Sequence, residues 1–336
     1  MKRLLLALCL LLPLVVQAQK KENFFTDLND FLEMRSAKNY ARQDTNYVAR
    51  YPYIWDTRTF YYVTSLHIKS EGAGDVDLYT GVSNRVGLSF GYRGLALSYS
   101  FALGRKLNFD FGLSSYGTHF GFEYNLRATT SLQGTIATSG MPEAIGNNEI
   151  TLFASNLNLL YNLNPRFSYA AAMKQSRIQR KSAGSFIIAA SWTVWDVLGA
   201  GSDIISRKTS IQTLLDQPNL LYDRISIGAG YGYNLVFGKE HWLLHASFIP
   251  MWTVYESSLQ SLEGVKTKTR HPMGHIAFMG TGRVGAYYRW GTRWSVGLSG
   301  IINQMVSRNG VNRSKEGFTR FGTQDFQARL QVGFRF

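Results

Sequence analysis

Cysteine is all but missing from this chain. The single example, Cys9, falls inside an N-terminal apolar stretch. With none elsewhere, there is no disulfide framework, no thiolate metal site and no cysteine nucleophile. Long apolar runs are missing as well. After residue 18 nothing approaches the ~18 consecutive apolar residues of a spanning helix, which excludes a helical membrane protein. Charge is sparse, since Asp, Glu, Lys and Arg make up 17% of the chain. A disordered chain would carry more charge and fewer aromatics. Acidic residues are the scarcer sign, 22 against 36 basic. No Lys/Arg run with interleaved aromatics occurs, so nucleic acid is not an expected partner. The positive excess suits lipopolysaccharide phosphates, or a small anionic solute in a lumen.

Residues 1–18 read as a secretory signal peptide. Lys2 and Arg3 form the charged end, Leu4 to Val16 the apolar core, and Val16-Gln17-Ala18 the cleavage site. Leu8 precedes Cys9 where a lipid anchor needs a small residue. Without the leader the chain keeps 34 basic against 22 acidic residues, a formal charge of +12.

What is present is alternation. In the last stretch Phe326, Ala328, Leu330, Val332, Phe334 and Phe336 share one parity, and Gln327, Arg329, Gln331, Gly333 and Arg335 share the other. Period two predicts a strand with one oily and one polar face. It suits the last strand of an outer-membrane barrel or of a soluble sandwich. Phe334 and Phe336 also have the form of a C-terminal signal read by the barrel-insertion machinery. Eleven further strands are expected, at 58–69, 82–92, 95–103, 107–116, 119–128, 150–163, 183–196, 223–237, 241–255, 275–290 and 293–306. With 325–336 they number twelve, an even count of strands long enough to span. Short turns alternate with long connectors at 70–81, 129–149, 197–222, 256–274 and 307–324. The short 104–106 and the long 164–182 break that rule, and Pro250 falls inside a strand. Tyr92, Tyr116, Phe120, Phe237, Trp242, Trp290, Trp294 and Phe336 gather on the short-turn side, as an aromatic belt does.

The expected fold class is therefore all-β: a transmembrane antiparallel up-and-down β-barrel of about 12 strands over 58–336. An N-terminal periplasmic segment, 19–57, precedes it. There Phe24, Phe25, Leu28, Phe31 and Leu32 predict a short amphipathic helix capped near Thr26 or Asp27. It would lie on the membrane, close the barrel mouth, bind a partner, or form an unstructured tail. The expected location is the outer membrane of a Gram-negative bacterium.

The run from Tyr161-Asn162-Leu163-Asn164-Pro165-Arg166-Phe167-Ser168-Tyr169 through Gln175 to Arg180-Lys181-Ser182-Ala183-Gly184-Ser185 resembles an uncharacterised family, domain of unknown function 4421. So do Phe109-Asp110-Phe111-Gly112-Leu113 with Tyr116 and Phe120, and Asp44 to Val48 followed by Trp55. The resemblance covers roughly Asp44 to Phe336. It implies an outer-membrane barrel with no established activity and no catalytic residues. At the family's usual Asp-Leu position this chain has Asp110-Phe111.

Placing the oily parity outward puts His67, Asp110, His119, Glu123, Arg127, Arg224, His245, Arg283, Arg289, Arg293, Arg329 and Arg335 in the lumen. The 164–185 segment, with Arg166, Lys174, Arg177, Arg180 and Lys181 and no acid, is a basic plug or an ordinary turn. Three functions are open. The leading one is a pore or transport channel with an Arg-rich lumen. The second is a non-conducting structural or binding barrel plugged by 164–185. The third is a lipid-modifying enzyme using His119, Glu123 and Asp110. His119 and Glu123 would lie roughly 13 Å apart along a strand, too far to chelate. His271 and His275 flank Pro272 and Gly274, which argues against a helical metal pair. No cofactor is expected.

Overall fold

The computed structural model describes residues 24–72, 74–104, 108–138, 141–198, 219–262, 265–272, 276–308 and 318–336. The expected signal peptide, with Cys9, lies outside these residues. The chain divides into two units, Met1–Arg42 and Gln43–Phe336. The first holds helix α1, Phe24–Ala41. It is longer than the expected helix. Thr26 and Asp27 lie within it rather than at its cap, and Asp27 sits in the first turn, where a carboxylate favours the helix dipole.

The second unit is a closed antiparallel barrel of twelve wall strands. In chain order the strands of this unit begin with β1 (Val48–Arg50), β2 (Trp55–Gly72), β3 (Gly74–Thr80), β4 (Ser83–Tyr92), β5 (Leu95–Ala102), β6 (Asn108–Tyr116) and β7 (Phe120–Thr138). They continue with β8 (Met141–Asn162), β9 (Arg177–Gln179), β10 (Ala183–Leu198), β11 (Asn219–Phe237) and β12 (Trp242–Leu262). The last four are β13 (Val265–Pro272), β14 (Ile276–Trp290), β15 (Trp294–Arg308) and β16 (Phe318–Arg335). The wall omits β1, β3, β9 and β13. The ring closes where β16 pairs with β2, from Phe318 opposite Gly72 to Arg335 opposite Asp56. Two further bonds, Trp55 N to Phe336 O at 3.2 Å and Phe336 N to Trp55 O at 3.1 Å, extend that seam.

The twelve expected strands are these twelve wall strands. The alternation that locates them is imposed by two different neighbours, lipid outside and the packed interior inside. On β4 the buried parity is Ser83, Arg85, Gly87, Ser89 and Gly91, while Leu88 and Phe90 stand exposed on the outer face. On β12 the outward Trp242 and Trp252 stand ten residues apart, with Leu244 and Phe248 exposed between them. At about 3.3 Å per residue and a tilt near 40°, that separation spans roughly 25 Å of membrane thickness, the height of an apolar band. Trp290, Trp294 and Phe334 form successive ring contacts at the turn side, 6.1 Å and 4.7 Å between centroids. Tyr116 leaves this belt. It points inward and is buried, bonded to Glu123.

Several expected connectors are strand instead. In the expected connector 129–149, the described residues 129–138 and 141–149 continue β7 and β8; that at 256–274 holds the end of β12 and β13, and that at 70–81 the end of β2 and β3. Above the lipid neither face need be apolar, so the alternation fades, while Thr and Ile still favour the strand. Residues 199–218 and 309–317, in two other connectors, lie outside the described residues, as do 105–107. Pro250 stays within β12, and the register shift of that strand against β11 falls instead at Ile225/Ser226.

Strand β3 changes the shape of the wall. It pairs with β2 on one side and with β7 on the other, passing over the short β4, β5 and β6. The outer part of the barrel is therefore narrower than the part below it. The β3–β7 contact depends on Gly134, whose φ is +149° and whose absent Cβ would stand 1.9 Å from the Asp77 carbonyl oxygen. Gly134→Ala is expected to part β3 from β7. Amide exchange in Gly74–Thr80 should rise while the wall strands below keep their protection; unchanged exchange in β3 would refute this.

Candidate functional site

The lumen is built in three layers. The outermost is apolar and filled. Leu66 and Ile68 of β2, Val76 and Leu78 of β3, Leu132 of β7, Ile150 and Leu152 of β8, Trp195 and Val197 of β10, Tyr222 of β11, Met305 of β15 and Phe321 of β16 form one buried cluster. The narrowing by β3 brings these side chains together. Tyr222 stacks on Phe321 at 4.3 Å between centroids. Tyr222 also bonds Glu256, which takes Ser307 Oγ at 2.9 Å and stands 3.6 Å from Arg224.

The innermost layer, on the turn side, is the connection between β8 and β10. It folds into the barrel mouth. Helix α2 (Tyr169–Met173) is capped by Ser168, whose hydroxyl accepts from Ala171 N at 3.1 Å. Phe167 and Ala170 to Ala172 are fully enclosed. The alanines allow close approach to the wall, and Ala171 packs against Leu243 and Tyr287. Gln175, with φ at +51°, ends the helix. Side chains from distant strands then hold it. Asn234 donates to the Ser168 carbonyl at 3.0 Å and to Gln179 Oε1 at 3.0 Å. His245 lies 2.8 Å from Asn234 Oδ1 and 3.0 Å from Ser247 Oγ, and Ser247 meets Tyr169 Oη at 3.2 Å. Arg335 donates to the Gln175 carbonyl at 2.5 Å, with its guanidinium 3.7 Å from the Tyr51 ring centroid. Strand β9 is sewn to β1 by three antiparallel pairs.

Between these layers lies a chamber of about 210 Å³. Its wall charges are mostly matched. Arg283 grips Glu123 at 2.5 and 2.6 Å, and Tyr116 donates to the same carboxylate. Arg127 bridges Asp110 at 3.1 Å and Asp325 at 3.0 Å, and Arg85 reaches Asp110 at 3.1 Å. Tyr62 donates to Asp110 and meets Ser100 at 2.8 Å. Arg58 pairs with Asp56. Two cations facing the chamber have no such partner among the described residues, Arg329 from the wall and Lys174 from the turn segment.

Lys174 sits at the C-cap of α2. Burial, and then the charges of Arg58 and Arg329, bring its pKa down from 10.5 to about 7, against weaker opposing pulls from Glu123 and Asp56. The folded state therefore binds this proton less readily than the unfolded chain. Its cost is absent above pH 10.5, grows as pH falls toward 7, and is complete below 7. Amide protection of the turn segment should accordingly rise between pH 7 and 10.5, and Lys174→Met should flatten that rise. An equal slope in the variant would refute the assignment.

Of the expected lumen residues, Asp110, Glu123, Arg127, Arg224, His245, Arg283, Arg289, Arg329 and Arg335 lie on inward parities. Arg289 is at the rim, bonded to the Glu240 carbonyl at 2.5 Å. Three are not in the lumen. His67 faces outward beside Asp77 at 2.7 Å, because Phe60, Tyr62, Leu66 and Ile68 take the inward parity of β2. His119 belongs to a turn, not a strand, and stacks on the exposed Tyr161 at 5.7 Å. Arg293 is likewise in a turn, exposed and bonded to Tyr53 at 2.9 Å. His119 and Glu123 are thus not brought together. His271 lies in β13, and His275 is outside the described residues. The expected basic plug is divided. Arg166, Arg180 and Lys181 are exposed, with Arg166 on Asp44 at 3.0 Å and Lys181 over Tyr47. Arg177 pairs through its backbone with Arg50, and only Lys174 faces the chamber. The inserted part is apolar because it must fill the mouth rather than meet solvent. Sequence reasoning missed Arg58, Arg85 and Asp325. Arg85 and Asp325 sit on visibly polar parities, whereas Arg58 is masked by Phe60 and Tyr62 beside it.

The sequence matches the family described as Domain of unknown function (DUF4421) over residues 42–336. The chain belongs to that family. In DUF4421 terms, the match takes in the whole barrel and the turn segment. No curated protein matches the sequence. Solved structures with a similar course include the outer membrane protease OmpT of Escherichia coli, 7% identical with a TM-score of 0.40, covering 84% of this chain and 97% of that one. An outer membrane channel from Pseudomonas putida F1 is 9% identical with a TM-score of 0.36, covering 88% and 99%. The translocator domain of the autotransporter NalP from Neisseria meningitidis is 7% identical with a TM-score of 0.35, covering 91% and 95%.

Proposed function

We propose that this DUF4421 chain is an outer-membrane barrel whose resting form is closed, a non-conducting barrel that encloses a polar binding chamber. The observation that carries this reading is the enclosed turn segment, with Phe167 and Ala170 to Ala172 filling the mouth while the apolar cluster fills the outer end. It is favoured over an open Arg-lined pore because most wall arginines are engaged by carboxylates, which removes their pull on mobile anions. The short turns and the inserted segment face the periplasm, and the outward belt faces outer-membrane lipid and lipopolysaccharide. Phe334 and Phe336, on the outer face of the closing strand, serve the barrel-insertion machinery during biogenesis. The test is planar-bilayer recording of the refolded full chain, with insertion checked separately. Silence across a salt gradient is expected. Steady conductance steps would overturn the closed reading and restore the pore.

A further inference from the structure

We propose that the chamber is a binding site for a small doubly charged oxyanion, held between Lys174 of the turn segment and Arg329 of the wall. This rests on the closed reading above and adds to it a ligand class and a coupling. Both cations line the same 210 Å³ chamber, and neither side chain makes a hydrogen bond or ion pair among the described residues. The acids of the chamber are committed elsewhere, Glu123 to Arg283, and Asp110 and Asp325 to Arg85 and Arg127. The chamber therefore carries two positive charges in excess of its matched pairs.

The geometry of Arg329 leaves it free to bind. Its guanidinium carbon stands 4.5 Å from the Phe60 ring centroid and 5.3 Å from that of Tyr62. Stacking uses the faces of the guanidinium and leaves its edge of N–H donors available, the edge that matches a planar or tetrahedral oxyanion. Ser299, Gln327 and Gln331 add neutral polar groups around the same space. The volume is ample for a small anion together with its waters. A bound dianion would tie a residue of the inserted segment to a residue of the wall. Occupancy would then hold the segment in place, and withdrawal of the segment would take half of the site with it.

The test is equilibrium dialysis of the refolded full chain in lipid micelles against radiolabelled sulfate, which keeps its charge across the working pH range. One sulfate per chain is expected, with affinity falling as pH rises through 7, as Lys174, which is under the influence of Arg58, Arg329, Glu123 and Asp56, loses its proton. Arg329→Gln and Lys174→Met should each weaken binding at least about tenfold. Arg166→Gln, on the exposed side of the segment, should leave it unchanged. If Arg329→Gln does not fold, Lys174→Met and Arg329→Lys carry the test. Absence of saturable binding, or binding that survives both chamber variants, overturns the proposal. The outcome is separable from that of the closed reading. A silent barrel that takes no sulfate loses only the ligand, and a conducting barrel that takes it loses only the closure.

Discussion

A thiol placed in the chamber should react about 100-fold faster once residues 167–181 are removed and Arg166 is joined to Ser182 through Asn-Gly. The natural chain makes this experiment clean, since its single cysteine, Cys9, lies far from the chamber-lining residues in sequence and is replaced by Ser in every variant. Ser98 lines the chamber, and Ser98→Cys changes one atom. With the segment in place, a charged thiol reagent must wait for a local opening. An opening that costs about 3 kcal/mol slows it about 100-fold. Deletion removes the barrier on the turn side alone. The outer cluster from Leu66 to Phe321 remains, and an apolar constriction resists ions even where a pore exists behind it. The deletion variant should therefore show fast labelling from the turn side with little steady conductance. Equal labelling with and without the segment would show that the segment does not seal.

Glu123→Gln should cost about 3–5 kcal/mol of folding stability, measured by urea unfolding in lipid vesicles. Arg283 is buried against Glu123 in a two-bonded grip, and it also lies over the Tyr169 ring at 5.7 Å. Removing one partner's charge strands the other in the wall, and the loss exceeds the worth of the pair itself. The double variant Glu123→Gln with Arg283→Met should recover most of the loss, because no uncompensated charge then remains. A double variant as unstable as the single one would mean that Arg283 acts chiefly through Tyr169 and the turn segment.

The wall was legible because lipid and interior impose opposite demands at each second residue. The last strand, from Asp325 to Arg335, shows this plainly. Legibility failed where that contrast weakens. On β2 the inward side chains are Phe60, Tyr62, Leu66 and Ile68, as oily as those facing lipid, so parity by hydrophobicity sent His67 the wrong way. At His119 and Arg293 the strand has already ended, and parity has no meaning in a turn. The turn segment was legible as an exception, by its length, but not in its chemistry. Its basic residues drew attention, while Phe167, Tyr169 and the three alanines do the filling. The partnering of Asn234, His245 and Arg335 with that segment joins residues that are far apart along the chain. No local pattern carries such contacts.

Strand β1 comes before the first wall strand and β9 comes midway, yet the two are paired; Asn234, His245 and Arg335 come later and grip the same segment. The inserted segment is thus stitched to parts of the chain on both sides of it in sequence. Arg335 comes from the last wall strand and β1 stands just before the first, so the segment is fully held only when both ends of the wall are in place. Closing the seam between β2 and β16 and locking the stopper therefore draw on the same two ends of the chain.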